Sequence, residues 1–274
     1  SGVFNGLIYL DRGDVPGSTT QYLSGGNGGY LKINISSAIT INSTITSIGG
    51  IAESGNCDYV TNQRGQRGNG GSVDIFAPEV IIIKSINLSR GEQGFCNNGI
   101  GGALTIISTG LLNITSSIQQ LGNGNATYPN GTTYLTYSDS LYLTGSSITQ
   151  NPFITRSNAN ATIQFLSRIS GYNTTNYQTQ VLIAQNNISV NGSNTNLNVS
   201  ANLTFYNSST FGFSVKGPYK NGVICLPPAC SVLRNADTYI FNVTGFSDYS
   251  VGDGTPFATL LSPANNSYLS GSVN

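Results

Sequence analysis

Three segments of this chain repeat one phrase, and this repetition limits the possible fold more than any other feature of the sequence. The segments are GNGGYLKINISSAITINS at 26–43, GNGGSVDIFAPEVIIIKS at 68–85 and GIGGALTIISTGLLNITS at 99–116. Each begins with Gly-x-Gly-Gly, continues as an alternating apolar strand, turns at small residues and resumes as a second alternating strand. The phrases start 42 and 31 residues apart, and a unit repeated every roughly 20–50 residues is typical of a solenoid.

The alternation inside each phrase predicts short β-strands and no helices, because apolar residues recur with a period of two. Glycine at the corners permits close stacking of one coil on the next. The variable spacing is explained by loops after each coil, at 51–67, 92–98 and 123–133. We therefore expect an all-β fold, a parallel β-helix, in which Ile33, Ile75 and Ile106 lie above one another in a single column.

The glycine-led phrase resembles those of right-handed parallel β-helix surface proteins and adhesins of bacteria and archaea. The resemblance covers roughly residues 25–122, and it implies a fold and an extracellular setting without implying an activity. A β-sandwich with similar strands is the alternative, because regular turn signals fit that fold too.

The segments outside the repeats divide the chain further. Residues 1–24, which include GVFNGLIYL, are interpreted as an N-terminal strand or arm, and 254–274 as a C-terminal arm or linker to a further module. The tail TPFATLLSPANNSYLSGSVN resembles the opening strand of immunoglobulin-like modules. The predicted domains are the arm 1–24, a β-solenoid at 25–216 with a sandwich as the alternative over 135–216, a disulfide loop and closing strand at 217–253, and the arm 254–274.

The composition excludes several classes of partner. Only 8% of the residues are charged, against about 25% in ordinary soluble proteins, and the formal net charge is zero. Nucleic-acid binding needs a basic surface, which 11 Lys and Arg residues spread along the chain do not supply. No apolar run is long enough to span a bilayer. The sequence predicts an extracellular or cell-surface protein that binds no nucleic acid and does not span a membrane.

Asparagine followed by any residue but proline and then Ser or Thr occurs 15 times, against about 7 expected by chance for this composition. In seven of these sites the middle residue is apolar. If that residue faces the core of a strand, the alternation of side chains turns the Asn before it and the Ser or Thr after it toward solvent. N-glycosylation is therefore predicted, and the alternative is that alternating strands create the motif while the asparagines stack into ladders. The predicted acceptors are Asn34, Asn42, Asn87, Asn113, Asn125, Asn130, Asn160, Asn173, Asn187, Asn191, Asn198, Asn202, Asn207, Asn242 and Asn265.

The four cysteines predict two disulfides, because an even number in an extracellular chain favours oxidation. Cys57 and Cys96 follow the first and second coils, which stacking would bring together, and Cys225 and Cys230 close a six-residue loop. Zinc ligation and free core thiols are the alternatives, although the chain has no His and the spacing suits zinc poorly.

No cluster of residues predicts catalysis. Glycoside cleavage needs paired carboxylates, but the equivalents of Asp74 in the neighbouring phrases are Lys32 and Thr105, so no acidic row forms. The glycine-rich corners do not match calcium-binding glycine repeats, because they lack the Asp that those repeats carry. They do not match phosphate-binding loops either, because no Gly-Lys-Ser/Thr follows. Arg12–Asp14 spells RGD, which we interpret as a plain turn. The sequence predicts no enzyme, cofactor or metal site.

These expectations together favour a structural subunit of a glycosylated extracellular filament or sheath. Its partners would be copies of itself, joined head to tail by β-strand pairing through the terminal arms, which are strand-like and have no partner among the repeats. An adhesin stalk or carbohydrate-binding surface protein is the first alternative. A β-helix polysaccharide lyase or hydrolase is the second.

Overall fold

A computed structural model of the protein describes residues 2–4, 8–10, 26–50, 68–91, 99–123, 129–143 and 146–254. These residues form 24 strands, one α-helical turn (α1, Tyr177–Gln180) and one 3-10 turn (Ser208–Phe211). The strands are β1 (Gly2–Phe4), β2 (Ile8–Tyr9), β3 (Tyr30–Asn34), β4 (Ile39–Ile41), β5 (Ile45–Thr46), β6 (Ser72–Ala77), β7 (Val80–Ile82), β8 (Ile86–Asn87), β9 (Ala103–Ser108), β10 (Leu111–Ile114), β11 (Ser117–Gln119), β12 (Thr132–Tyr137), β13 (Ser140–Tyr142), β14 (Ser147–Ile148), β15 (Phe153–Ser157), β16 (Ala161–Phe165), β17 (Val181–Ala184), β18 (Asn187–Val190), β19 (Ala201–Phe205), β20 (Lys216–Lys220), β21 (Val223–Ile224), β22 (Cys230–Arg234), β23 (Tyr239–Val243) and β24 (Asp248–Asp253).

The first fifteen strands pair only in parallel with one another, and each repeat gives one strand to each of three sheets. The first sheet has the order β1-β4-β7-β10-β13 and the second β2-β5-β8-β11-β14. The third begins β3-β6-β9-β12-β15 and then continues with antiparallel strands. The predicted all-β fold is confirmed, with parallel sheets in the repeated part.

Equivalent apolar residues of successive repeats lie opposite one another in these sheets. Ile33 pairs with Ile75, Ile75 with Ile106, Ile106 with Leu135 and Leu135 with Ile154. The first two sheets have similar rows, and their members are Ile41, Ile82 and Ile114, and Ile45, Ile86, Ile118 and Ile148. Every member of these rows is buried. Stacked β-branched side chains therefore form the core, as the glycine-aligned phrases predict.

The glycine-led corners are joined to the preceding strands by backbone hydrogen bonds. The N–H of Gly102 donates to the carbonyl of Leu88 at 2.7 Å, and the N–H of Gly131 donates to that of Gln120 at 2.8 Å. The buried Gln120 side chain donates to the Gly102 and Thr132 carbonyls at 3.0 and 2.9 Å, and accepts from the Thr133 hydroxyl at 2.6 Å. All of its hydrogen-bonding groups are thus satisfied inside the core.

From β16 onward the pairing is antiparallel. The third sheet continues as β15-β16-β19-β23-β22, and a further sheet has the order β17-β18-β24-β20-β21. The core here is aromatic, since Phe205 and Phe241 stack with ring centres 5.8 Å apart and Tyr249 lies edge-on to Phe241 at 6.1 Å. The aliphatic and aromatic residues form one continuous buried cluster. The domain boundaries predicted from the sequence remain predictions.

Candidate functional site

One edge of the third sheet is formed by β3, whose strand partner among the described residues is β6 alone. The Gly29 carbonyl accepts from the N–H of Ser72 at 3.0 Å, and the N–H of Ile35 donates to Phe76 at 2.9 Å. Peptide groups alternate in direction along a strand, so the N–H and C=O groups of the even-numbered residues point away from β6. Lys32, at the centre of this edge, is exposed. An edge of this kind is a template for another strand.

The opposite end of the parallel sheets is covered by side chains from the antiparallel part. The N–H of Ile148 in β14 donates to the hydroxyl of the buried Tyr172 at 2.6 Å. Gln178 of α1 donates its side-chain amide to the Leu141 carbonyl in β13 at 2.9 Å. These two residues satisfy outward-pointing backbone groups of the last parallel strands. No local sequence pattern marks them, because each acts about 24–37 residues away from its own position.

The N-terminal segment is paired within its own chain. Residues Gly2–Phe4 lie in register with Ile39–Ile41, and Ile8–Tyr9 with Ile45–Thr46. This differs from the expectation that the first arm has no partner among the repeats. The short apolar strands of GVFNGLIYL extend the same two sheets without the glycine-led phrase that made the repeats visible in sequence.

The predicted glycan acceptors lie on the surface. Thirteen of the fifteen fall among the described residues and none is buried, whereas Asn125 and Asn265 lie outside the described residues. The exposed acceptors are Asn34, Asn42, Asn160, Asn191, Asn198 and Asn207, and the half-buried ones are Asn87, Asn113, Asn130, Asn173, Asn187, Asn202 and Asn242. The middle residues Leu88, Ile114, Ile188, Leu203 and Val243 are each fully buried. Alternation therefore turns these asparagines outward, which is the geometry that a carried glycan requires.

Some asparagine side chains form hydrogen bonds to neighbouring strands or successive corners, as expected for asparagine ladders. The side chain of Asn242 donates to that of Asn202 at 3.3 Å across neighbouring strands. At the corners, the Asn27 side chain accepts from the N–H of Asn69 at 3.0 Å, and the Asn69 side chain accepts from the N–H of Ile100 at 2.8 Å. Asn27 and Asn69 are outside any acceptor motif. Ladders thus account for part of the asparagine content, mainly at the corners.

The carboxylates of the described residues are dispersed. Asp74 lies between Lys32 and Thr105 in register, as aligned from the sequence, and accepts a 2.7 Å hydrogen bond from the Tyr30 hydroxyl. This bond raises the pKa of Tyr30. Ser209 donates to Asp237, which lowers the pKa of that carboxyl. Over the ranges that the structure describes, no three His, Cys, Asp or Glu side chains gather as metal ligands would.

Cys225 and Cys230 form the predicted disulfide, with Cα atoms 5.6 Å apart. It closes the loop between β21 and β22, and the N–H of Cys225 donates to the Pro218 carbonyl at 2.7 Å. The predicted Cys57–Cys96 pair and the RGD turn at Arg12–Asp14 lie outside the described residues.

In the described part of the chain, no helix has the length and apolar character needed to cross a membrane. Comparison with known protein families, characterised proteins and solved structures gives no match to this chain.

Proposed function

We propose that this chain is a non-enzymatic structural subunit of a glycosylated extracellular filament or sheath. In this proposal strands β1–β15 are the rungs of a parallel β-helix, and the antiparallel strands that follow close one end of it. Copies join head to tail when a strand of one subunit adds to the open edge of the next. The non-closing contact between two different ends of the molecule produces a fibre.

The observation that supports this proposal best is the difference between the two ends of the parallel sheets. At one end the side chains of Tyr172 and Gln178 form hydrogen bonds with backbone groups of β14 and β13. At the other end the outward peptide groups of β3 have no strand beside them among the described residues. One open end and one closed end favour a directional contact between unlike surfaces. We assign the donor strand to 254–274 of the neighbouring copy, which follows β24 in sequence.

Lys32→Pro tests the edge directly. Proline removes the N–H that points away from β6 and leaves the bonds of Gly29 and Ile35 to β6 intact. An edge strand tolerates proline at such a position. We expect the variant to fold, as judged by circular dichroism and thermal unfolding, and to form no filaments under negative-stain electron microscopy. Lys32→Thr is the matched control, because it removes the same charge and keeps the N–H, and it should polymerise.

A folded Lys32→Pro protein that still makes filaments would contradict strand addition at β3. Deleting 254–274 tests the donor separately: unchanged filaments would contradict its assignment. If native material consists of isolated rods, the adhesin-stalk alternative replaces the filament.

Glycosylation is tested by intact mass. We expect the native chain to exceed the 28.7 kDa of the bare polypeptide, because the acceptor asparagines face solvent. Asn191→Gln removes one exposed acceptor and should lower the mass by one glycan. Asn176→Gln is the control, since Asn176 is equally exposed and lies outside any acceptor motif. A native mass equal to the bare chain would remove glycans from the proposal.

A further inference from the structure

Three chain turns meet at one end of the antiparallel part and enclose a depression of about 200 Å³. The turns are the β15–β16 hairpin, the β17–β18 hairpin and the segment that leaves β19 for the 3-10 turn. The lining residues are Ala159, Asn160, Gln185, Asn186, Tyr206, Asn207, Thr210 and Phe211. None of these residues is charged. The lining therefore favours a neutral ligand over an anion or a cation.

Two of these residues fix the frame of the depression. The Asn186 side chain donates to the Val251 carbonyl at 2.8 Å and accepts from the Val251 N–H at 2.9 Å, which holds the β17–β18 turn against β24. The N–H of Tyr206 donates to the Asn160 carbonyl at 3.0 Å, and the Tyr206 hydroxyl lies 2.8 Å from the Thr162 hydroxyl. The backbone of the rim and the orientation of the Tyr206 ring are therefore set without any ligand.

The remaining amides are available for a ligand. The side chains of Asn160, Gln185 and Asn207 are exposed and make no hydrogen bond within the part of the chain that the structure describes. An amide presents a donor and an acceptor side by side, which matches two neighbouring hydroxyls of a sugar ring. Tyr206 and Phe211 add aromatic surface, which packs against the apolar faces of such a ring.

We propose that this depression is a binding site for one neutral pyranose ring. The sugar has two possible sources: a glycan attached to Asn160 or Asn207, which are both predicted acceptors, or a neutral glycan from the surroundings. A glycan linked to one of these asparagines would occupy its amide, so Gln185 and the other asparagine would bind the sugar, whereas a free sugar could use all three amides. The inference does not depend on filament formation.

The test is a titration of the 274-residue chain, produced without N-glycosylation, with methyl glucoside, methyl mannoside, methyl galactoside and N-acetylglucosamine, followed by NMR. We expect saturable binding of at least one neutral sugar and none of glucuronate. Gln185→Ala and Asn207→Gly each remove one amide, and glycine accepts the positive φ of +51° found at Asn207. Each variant should weaken binding about tenfold, the effect of one or two lost hydrogen bonds.

Gln119→Ala is the matched control, because Gln119 is an exposed residue of the same type in the parallel part, and it should bind as the parent does. Absence of saturable binding by every neutral sugar overturns the proposal, as does equal binding by the parent, Gln185→Ala and Asn207→Gly. Repeating the titration with the glycosylated chain identifies the source. Lost binding with a glycan on Asn160 or Asn207 supports the chain's own glycan, and retained binding supports an external one.

Discussion

We expect the replacement of Gly102 by alanine to abolish or strongly destabilise the folding of the parallel part of the chain, whereas the same change at Gly2 should leave the fold intact. A Cβ atom at Gly102 would overlap the Gly71 carbonyl oxygen and lie 2.8 Å from the Leu88 carbonyl oxygen. Both obstacles are backbone atoms, so no side-chain rotation relieves the overlap. A Cβ atom at Gly2 meets nothing within 4 Å.

The hydrogen bonds around Gly102 explain why the backbone cannot simply move aside. Gly102 bonds to Leu88 at 2.7 Å, its carbonyl accepts from Thr132 at 3.2 Å, and Ala103 donates to Gly71 at 3.2 Å. Shifting the corner breaks several of these at once, each worth about 1 kcal/mol or more when a buried group is left unpaired. Added to overpacking strain, the loss approaches the roughly 5–15 kcal/mol that stabilises a typical domain.

Circular dichroism and urea unfolding provide the measurement. Gly102→Ala should lack a cooperative unfolding transition or show it at much lower urea concentration, and Gly2→Ala should unfold as the parent does. A Gly102→Ala protein of parental stability would mean that successive corners are not stacked as closely as described.

The repeated part of the fold is predictable because its information is local and repeated. Aligning the three phrases on glycine places Lys32, Asp74 and Thr105 in equivalent positions, and the structure pairs them in that register. The glycines mark the corners because a Cβ atom there would overlap the backbone of a neighbouring segment, as at Gly102. Sequence alone was sufficient here because every repeat restates the same steric requirement.

The antiparallel part is less predictable because alternation does not reveal which strands pair. NISV at 187–190 and NLTF at 202–205 have the same pattern, yet β18 and β19 lie in different sheets. Pairing there depends on long-range packing, such as the contact of Phe241 with both Phe205 and Tyr249. The depression near Asn160 and Gln185 was missed for a similar reason, because its residues come from three separate turns and form no motif.

We expect the protein to lose stability progressively as the pH rises above 10, whereas lowering the pH from neutral to mildly acidic values should change its stability little. Burial raises the pKa of Tyr137 and Tyr177 well above the ordinary tyrosine range, and it raises the pKa of Tyr239 and Tyr249 to about 12. In the unfolded chain these groups titrate near 10. The stabilisation from their neutral forms is therefore complete below about pH 10 and is lost as the pH rises through the higher folded-state values.

The size of this effect follows from the number of buried tyrosines. Each one reduces the free energy of unfolding by about 1.4 kcal/mol per pH unit once the unfolded form ionises. For Tyr137 and Tyr177 alone, the loss between pH 10 and 12 is roughly 5 kcal/mol, comparable with the total stability of a small domain. On the acid side, stabilisation by Asp237 is lost as the pH falls through its lowered pKa, but this carboxyl is exposed and contributes little.

Urea unfolding at a series of pH values, with tyrosinate absorbance recorded in parallel, tests this prediction. Tyr137→Phe should move the alkaline transition to higher pH, because the hydroxyl of Tyr137 is buried without a hydrogen-bond partner in the described structure and its loss removes only the ionisable group. Tyr142→Phe is the matched control, since Tyr142 is 47% exposed, and it should leave the transition unchanged. If both variants unfold at the parental pH, ionisation of the buried tyrosines does not limit stability in alkali.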